Sequence, residues 1–306
     1  MGTVFVSYSR QQGEWVWDRL VPVLKAGGIE VLIDRERFEA GKDILGQMDM
    51  TQDHAGQHVL CLSAKYLAST ACRHEMRRAI ESDPNFSKGK IIPIRLDATP
   101  IPKELAGKRL RTPKPLWIDF ADDRKPEPWR ELLTASTGDL GTCPVRWLKA
   151  RDQTRHRLEE RKSVCLHVVN ARANWRALMD DVLGSLQRPA RQLDLDQGAT
   201  KTRAGFVNCI LDKPAHRLPV GGPGFELVEL DDAVRAMTKG LTLAIRHFDH
   251  MSVQFKADAD LFDALRHLIM DARKLVLFVQ TRTPFATLLP GDHRLSKIDI
   301  ETVELP

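Results

Sequence analysis

A carboxylate, several hydroxyls, a guanidinium and an aromatic ring stand near the ends of apolar runs early in this sequence. Glu75 lies in the first turns of a helical stretch entered at Ser69 or Thr70. Ser63 follows the run 58–62. Tyr8, Ser9 and Arg10 close the run that begins at Val4. Asp34 ends the run 29–33, and Phe38, Gly41 and Lys42 lie in the polar loop beyond it. If these runs are parallel strands, their carboxyl ends define one edge, the edge where open α/β sheets bind ligands. A carboxylate there can stabilise developing positive charge or orient an attacking nucleophile, as carboxylates do in glycoside hydrolysis. Simpler roles compete at each position. Glu75 is favourable with the helix dipole, Ser9 has no obvious base beside it, and Asp34 can cap a turn. Cys72 reads as a packed thiol. His58 and His74 are too far in sequence from other ligands to suggest a metal, and none is expected.

The elements that must position these residues alternate. Val4–Tyr8, Ile29–Ile33, His58–Leu62, Lys90–Leu96 and Leu116–Phe120 are short, nearly continuous apolar runs, the pattern of strands buried on both faces. Between them lie helical patterns. Trp17, Leu20, Val21 and Leu24 share a face, with Pro22 predicting a kink or early end and Gly27–Gly28 a stop. A weak helix is expected over 43–53, one over 71–81 capped by Ser69 or Thr70, and one from Trp129 to Leu133. The second half alternates too. Strands are expected at 163–169, 192–195, 241–248 and 274–279. Helices are expected on the faces of Trp175, Leu178, Met179, Val182 and Leu186, over 231–239, and through Leu261, Leu265, Leu268 and Ile269. The fold class is therefore α/β with parallel sheets. Three parts are expected: residues 1–135, a linker or basic helix over 136–161, and a second α/β domain over 162–306.

The 306 residues carry a net charge of +5 with mixed signs, so nucleic-acid binding is not called for without a clustered patch. Part of the excess sits in a basic run from Arg146 to Lys162, read as a linker with a solvated helix face. The five cysteines form no CxxC or CxxH pair, which argues against a disulfide framework or zinc site. No stretch is long and apolar enough for a bilayer, the first residues do not form a secretory signal, and Val6 departs from a myristoylation motif. A cytoplasmic location without membrane partners is expected.

The first half resembles TIR (Toll/interleukin-1 receptor) domains, especially bacterial TIR effectors. Val4-Phe5-Val6-Ser7-Tyr8-Ser9-Arg10 resembles their opening box. Val31-Leu32-Ile33-Asp34 through Gly41 resembles their second strand and BB loop. Leu60-Cys61-Leu62-Ser63, Lys65-Tyr66-Leu67 and Ser69-Thr70-Ala71-Cys72-Arg73-His74-Glu75 resemble the third strand and the entry to the next helix. Pro93-Ile94 and Trp117-Ile118-Asp119-Phe120 sit where the last strands belong. The resemblance covers about residues 1–133. It implies a flavodoxin-like parallel sheet and cleavage of NAD at the nicotinamide–ribose bond, with Glu75 catalytic. Tyr8, Ser9, Arg10, Asp34, Phe38, Gly41, Lys42 and Ser63 would then contact the substrate, Arg10 or Lys42 through a phosphate. NAD would be the substrate, giving ADP-ribose or a cyclic form, with no separate cofactor. It also implies self-association through the TIR domain and a role in antiphage defence. The alternative is a non-catalytic adaptor that pairs with other TIR domains. Ala71 departs from the family pattern, in which many members carry Trp and so offer a stacking surface.

The second half weakly resembles a STAND-type, AAA-related core. Phe248-Asp249 sits where an acidic Walker B residue belongs, Thr281-Arg282 where a sensor belongs, and Leu295 to Asp299 resembles a closing segment. Val169-Asn170-Ala171-Arg172-Ala173-Asn174-Trp175 lacks the glycines and the Lys-Ser/Thr pair that cradle phosphate. Gly198 to Thr202 lacks paired glycines, and Gly221 to Gly224 reads as a turn. This implies an inactive STAND domain that senses a trigger or partner protein and restrains the TIR half.

Overall fold

The computed structural model describes residues 2–33, 52–106, 117–219, 221–222, 224–256, 258–289, 291 and 293–306. Two compact units divide the chain, residues 1–148 and 149–306. Each is built on a five-stranded, all-parallel sheet.

The first sheet comprises β1 (Thr3–Ser7), β2 (Glu30–Leu32), β3 (Gln57–Leu62), β4 (Ile91–Arg95) and β5 (Ile118–Asp119). Their spatial order is β2-β1-β3-β4-β5, the flavodoxin-like order with its switch point between β1 and β3. β1 and β3 are buried almost throughout, as strands covered by helices on both faces must be.

Pro22 does not end the first helix. The helical run over 10–26 widens into a π segment, Val16–Leu20, with Val21 N–H donating to the Val16 carbonyl. α1 (Val21–Ala26) then resumes with Pro22 near its start. Pro lacks an N–H and crowds the preceding turn, and a π-bulge accommodates such a break without ending the helix. Gly28 then adopts φ +81°, a conformation that carries little cost only for glycine.

Past β3 come α2 (Ala64–Ala68) and α3 (Thr70–Ser82). The Ser69 hydroxyl caps α3 by accepting from Cys72 N–H at 3.3 Å. Met76 and Ala79 of α3 pack with Leu60, Leu62 and Tyr66 in one buried cluster. α4 (Pro126–Ala135) opens on proline, which suits the first helical position. Its Trp129 lies 4.8 Å from the Phe120 ring and 5.9 Å from Trp15. The Trp129 indole donates to the Asp123 carbonyl and the Trp15 indole to the Asp123 carboxylate. Residues 144–159 form α5 (Pro144–Glu159), so the division between units falls inside a helix. Its basic side chains are largely engaged. Arg151 is buried and pairs with Asp181 and Asp152, and Arg157 pairs with Glu160 and Glu301.

The second sheet comprises β6 (Ser163–Val168), β7 (Ala190–Asp194), β8 (Leu241–Arg246), β9 (Leu275–Thr281) and β10 (Ile300–Leu305), in the order β10-β6-β9-β8-β7. Its helices include α6 (Trp175–Ser185), α7 (Arg203–Ile210), α8 (Glu226–Ala236) and α9 (Ala259–Met270). The sequence reading lacked α7 and β10. Gly205 and Asn208 blur the periodicity of α7, and β10 is a half-exposed edge strand with glutamates at 301 and 304. Gly205 is required by packing, since a Cβ there would stand 2.1 Å from the Ala199 carbonyl oxygen.

Candidate active site

At the carboxyl edge of the first sheet, three side chains form a buried chain of hydrogen bonds. The Ser7 hydroxyl, at the end of β1, donates to a Glu75 carboxylate oxygen in a short contact. The same hydroxyl lies 2.7 Å from the Tyr66 phenol oxygen. A serine hydroxyl has a single proton, so with the Ser7 proton directed to Glu75 the Tyr66 proton points to Ser7. Burial pushes the Tyr66 phenol well above its usual range, against the lowering effect of the Ser7 bond. It therefore stays a donor at neutral pH. Glu75 is 7% exposed and Tyr66 is fully buried.

Local structure explains the convergence. Ser63 caps α2, accepting from Tyr66 N–H at 3.0 Å, and the short α2 carries the Tyr66 phenol to β1. The Ser69 cap starts α3 with Glu75 in its second turn. The buried Gln52 side chain donates to the Glu75 backbone carbonyl at 2.8 Å. Cys72 Sγ donates to the Tyr8 carbonyl at 3.4 Å, the packed role expected of it.

The expected site residues are therefore unequally placed. Glu75 sits at the edge, with Ser63 behind it as a helix cap. The Tyr8 ring is buried, and its phenol oxygen accepts from the Trp17 indole at 3.1 Å. Ser9 is nearly buried, and its N–H donates to the Gln12 side chain. Arg10 is exposed at the start of a short 3-10 turn. Asp34, Phe38, Gly41 and Lys42 lie outside the described residues. Sequence reasoning missed Ser7, Tyr66 and Gln52 as partners of Glu75. A sequence signal for Ser7 existed, a polar residue at the inner end of an apolar strand.

The corresponding edge of the second sheet differs. The loop after β6 offers no phosphate cradle. Asn170 accepts from Arg172 N–H and Asn174 caps α6, accepting from Ala177 N–H. Thr202 caps α7, accepting from Gly205 N–H. The Asp249 carboxylate accepts from the backbone N–H groups of Arg282 and Thr283 at 2.9–3.1 Å, so it pins the loop after β9.

Residues 4–133 match the family model described as TIR domain. This stretch is a TIR domain. Over 96 residues the chain is 28% identical to Toll-like receptor 6 of Bos taurus, covering 31% of this chain and 12% of the receptor. The chain thus spans about an eighth of that relative's length. Among solved structures, the TIR domain of the Toll-related receptor TRR-2 from Hydra magnipapillata covers 44% of this chain and 97% of its own (20% identity, TM-score 0.37). A Drosophila ORC structure bound to GC-rich DNA and Cdc6 covers 52% and 56% (13% identity, TM-score 0.36). A Walker-type ATPase of Pyrococcus abyssi covers 50% and 53% (12% identity, TM-score 0.32). Among the described residues, no helix is long and apolar enough to cross a membrane.

Proposed function

We propose that the TIR domain is an NAD glycohydrolase whose reacting carboxylate is Glu75. The observation that carries this reading is the Glu75 carboxylate, nearly buried at the carboxyl edge of the sheet and bridged through Ser7 to Tyr66. In the proposed reaction the bond from ribose C1′ to the nicotinamide ring nitrogen breaks. The electron pair leaves with nicotinamide, which turns from a cationic pyridinium into a neutral amide-bearing ring and needs no general acid. The ribose becomes oxocarbenium-like, and a fixed carboxylate in a low-dielectric setting stabilises that charge. Water adds at C1′ and loses a proton, giving ADP-ribose. Attack by an adenine nitrogen instead gives a cyclic product. Ser7 and Tyr66 hold the carboxylate in one orientation, so little reorganisation is needed when charge develops. Substrate contacts are assigned to Tyr8, Ser9, Arg10, Asp34, Phe38, Gly41, Lys42 and Ser63, with no cofactor beyond NAD as substrate.

The reading extends to a cytoplasmic antiphage effector held off by the second unit until a trigger or partner protein arrives, with TIR–TIR association completing the site. Nicotinamide release should then rise more steeply than in proportion to protein concentration. The second reading is a non-catalytic TIR adaptor. It is favoured by Ala71, which is exposed at the start of α3 and offers no ring for stacking. Incubating concentrated protein with NAD and following nicotinamide, with Glu75→Ala as control, separates the two. Release by wild type and not by the variant supports the enzyme. Equal release by both removes Glu75 from the reaction, and none from either under assembling conditions favours the adaptor.

A further inference from the structure

We propose that Asp194, Asp196 and His247, at the carboxyl edge of the second sheet, bind one divalent transition-metal ion of the zinc class. Asp194 is the last residue of β7 and pairs in register with Arg246, the last residue of β8. The next residue, His247, therefore arrives beside the Asp194–Asp196 turn although 53 positions separate it from Asp194. One ligand atom from each of the three lies within 4.8 Å of the others. His247 Nδ1 is 2.8 Å from Asp194 Oδ1 and 3.2 Å from Asp196 Oδ2. Zinc bonds near 2.0 Å in a tetrahedron set ligand atoms about 3.3 Å apart. These spacings already approximate edges of one face of such a site.

The donors are held from behind. His247 takes φ 55° and its N–H donates at 3.0 Å to Oε1 of Gln280, which is fully buried. The Trp175 ring packs edge-on against the imidazole with centroids 5.4 Å apart. His250 Nδ1 stands 2.8 Å from Asp196 Oδ1, the carboxylate oxygen not facing His247. It orients that carboxylate from outside, as second-layer partners of metal ligands do.

The donor chemistry points the same way. Among the described residues no Lys or Arg forms an ion pair with Asp194 or Asp196, and the adjacent Arg246 pairs with Asp180 at 2.6 Å. Two carboxylates thus face two imidazoles. Two carboxylate donors suit a divalent cation, and the imidazole donor selects the zinc class over magnesium or calcium. Half-exposed Asp196 and His250 leave a way in. Three protein donors leave a fourth position for water.

The test uses the full chain, stripped with a chelator and titrated with Co(II), followed by its visible ligand-field absorption, and with Zn(II) by calorimetry. One site per chain is expected, with a tetrahedral cobalt spectrum that zinc displaces. Asp196→Asn, at a half-exposed position that the fold tolerates, should weaken binding at least about tenfold, and His247→Ala should abolish the spectrum. Circular dichroism checks that each variant is folded. Absence of binding at about millimolar metal, binding unchanged in Asp196→Asn, or tighter binding of Mg(II) than Zn(II) would each overturn the proposal.

Discussion

The two sheet edges place polar groups at equivalent positions and treat them differently. In the TIR domain, a hydroxyl from β1, itself backed by the phenol from α2, aims at a single carboxylate on α3, inside a nearly dry setting. In the second unit, carboxylates meet imidazoles at a half-open edge, and Asp249 is committed to backbone amides. The first arrangement fixes the orientation of one carboxyl group; the second distributes charge and fastens loops. A shared α/β layout thus fixes where polar groups gather without fixing what they do.

The largest effect expected from breaking this contrast is at Glu75. Glu75→Gln keeps shape and removes charge, and nicotinamide release should fall about a thousandfold, within the range for losing a central electrostatic group. Ser7→Ala should cost about tenfold, because only orientation is lost. A Ser7→Ala loss equal to that of Glu75→Gln would mean that the relay itself reacts.

Acid should separate the halves next. His58 is buried in β3 and its pKa is lowered to about 4, by burial first and then by Lys90. Its Nδ1 has no partner among the described residues. Between about pH 6.5 and 4 the unfolded chain binds this proton and the folded one does not. Stability from His58 is therefore complete above pH 6.5 and lost as pH falls toward 4, by on the order of 2–3 kcal/mol. Urea unfolding across that window should show a weaker pH dependence in His58→Leu than in wild type.

Asp249→Ala should cost about 2 kcal/mol, the worth of hydrogen bonds to a charged acceptor, and should not create nucleotide binding. Micromolar ATP binding by wild type, measured by calorimetry, would contradict the absence of a phosphate cradle. The smallest effect is expected at Ser63→Ala, about 1 kcal/mol for a lost cap. A larger activity loss than this stability change explains would make Ser63 a substrate contact as well as a cap.

Much of this was legible in the sequence. Apolar runs at 4–8, 58–62 and 275–279 announced buried strands because parallel strands are covered on both faces. The hydroxyl of Ser69 announced α3. Glu75 was legible as a candidate through its position after that cap and through the TIR-like boxes around it. Its partners were not, since Ser7 and Tyr66 lie 59 residues apart and only the tertiary fold brings them together. The Asp194–His247 cluster escaped for the same reason, as metal motifs are recognised in sequence by close spacing. Pro22 was legible as a break: local chemistry called for a kink or early stop, and the helix passes through a π segment rather than ending there.

The buried Arg151 has a practical consequence for dissecting the chain. Its side chain is 4% exposed and is joined to Asp181 of α6 and to Asp152. A fragment begun at residue 162, where the sequence first suggests a fresh domain, discards this arginine and strands the Asp181 carboxylate. A fragment begun before Pro144 retains the whole of α5, so the useful cut for expression lies upstream of the helix.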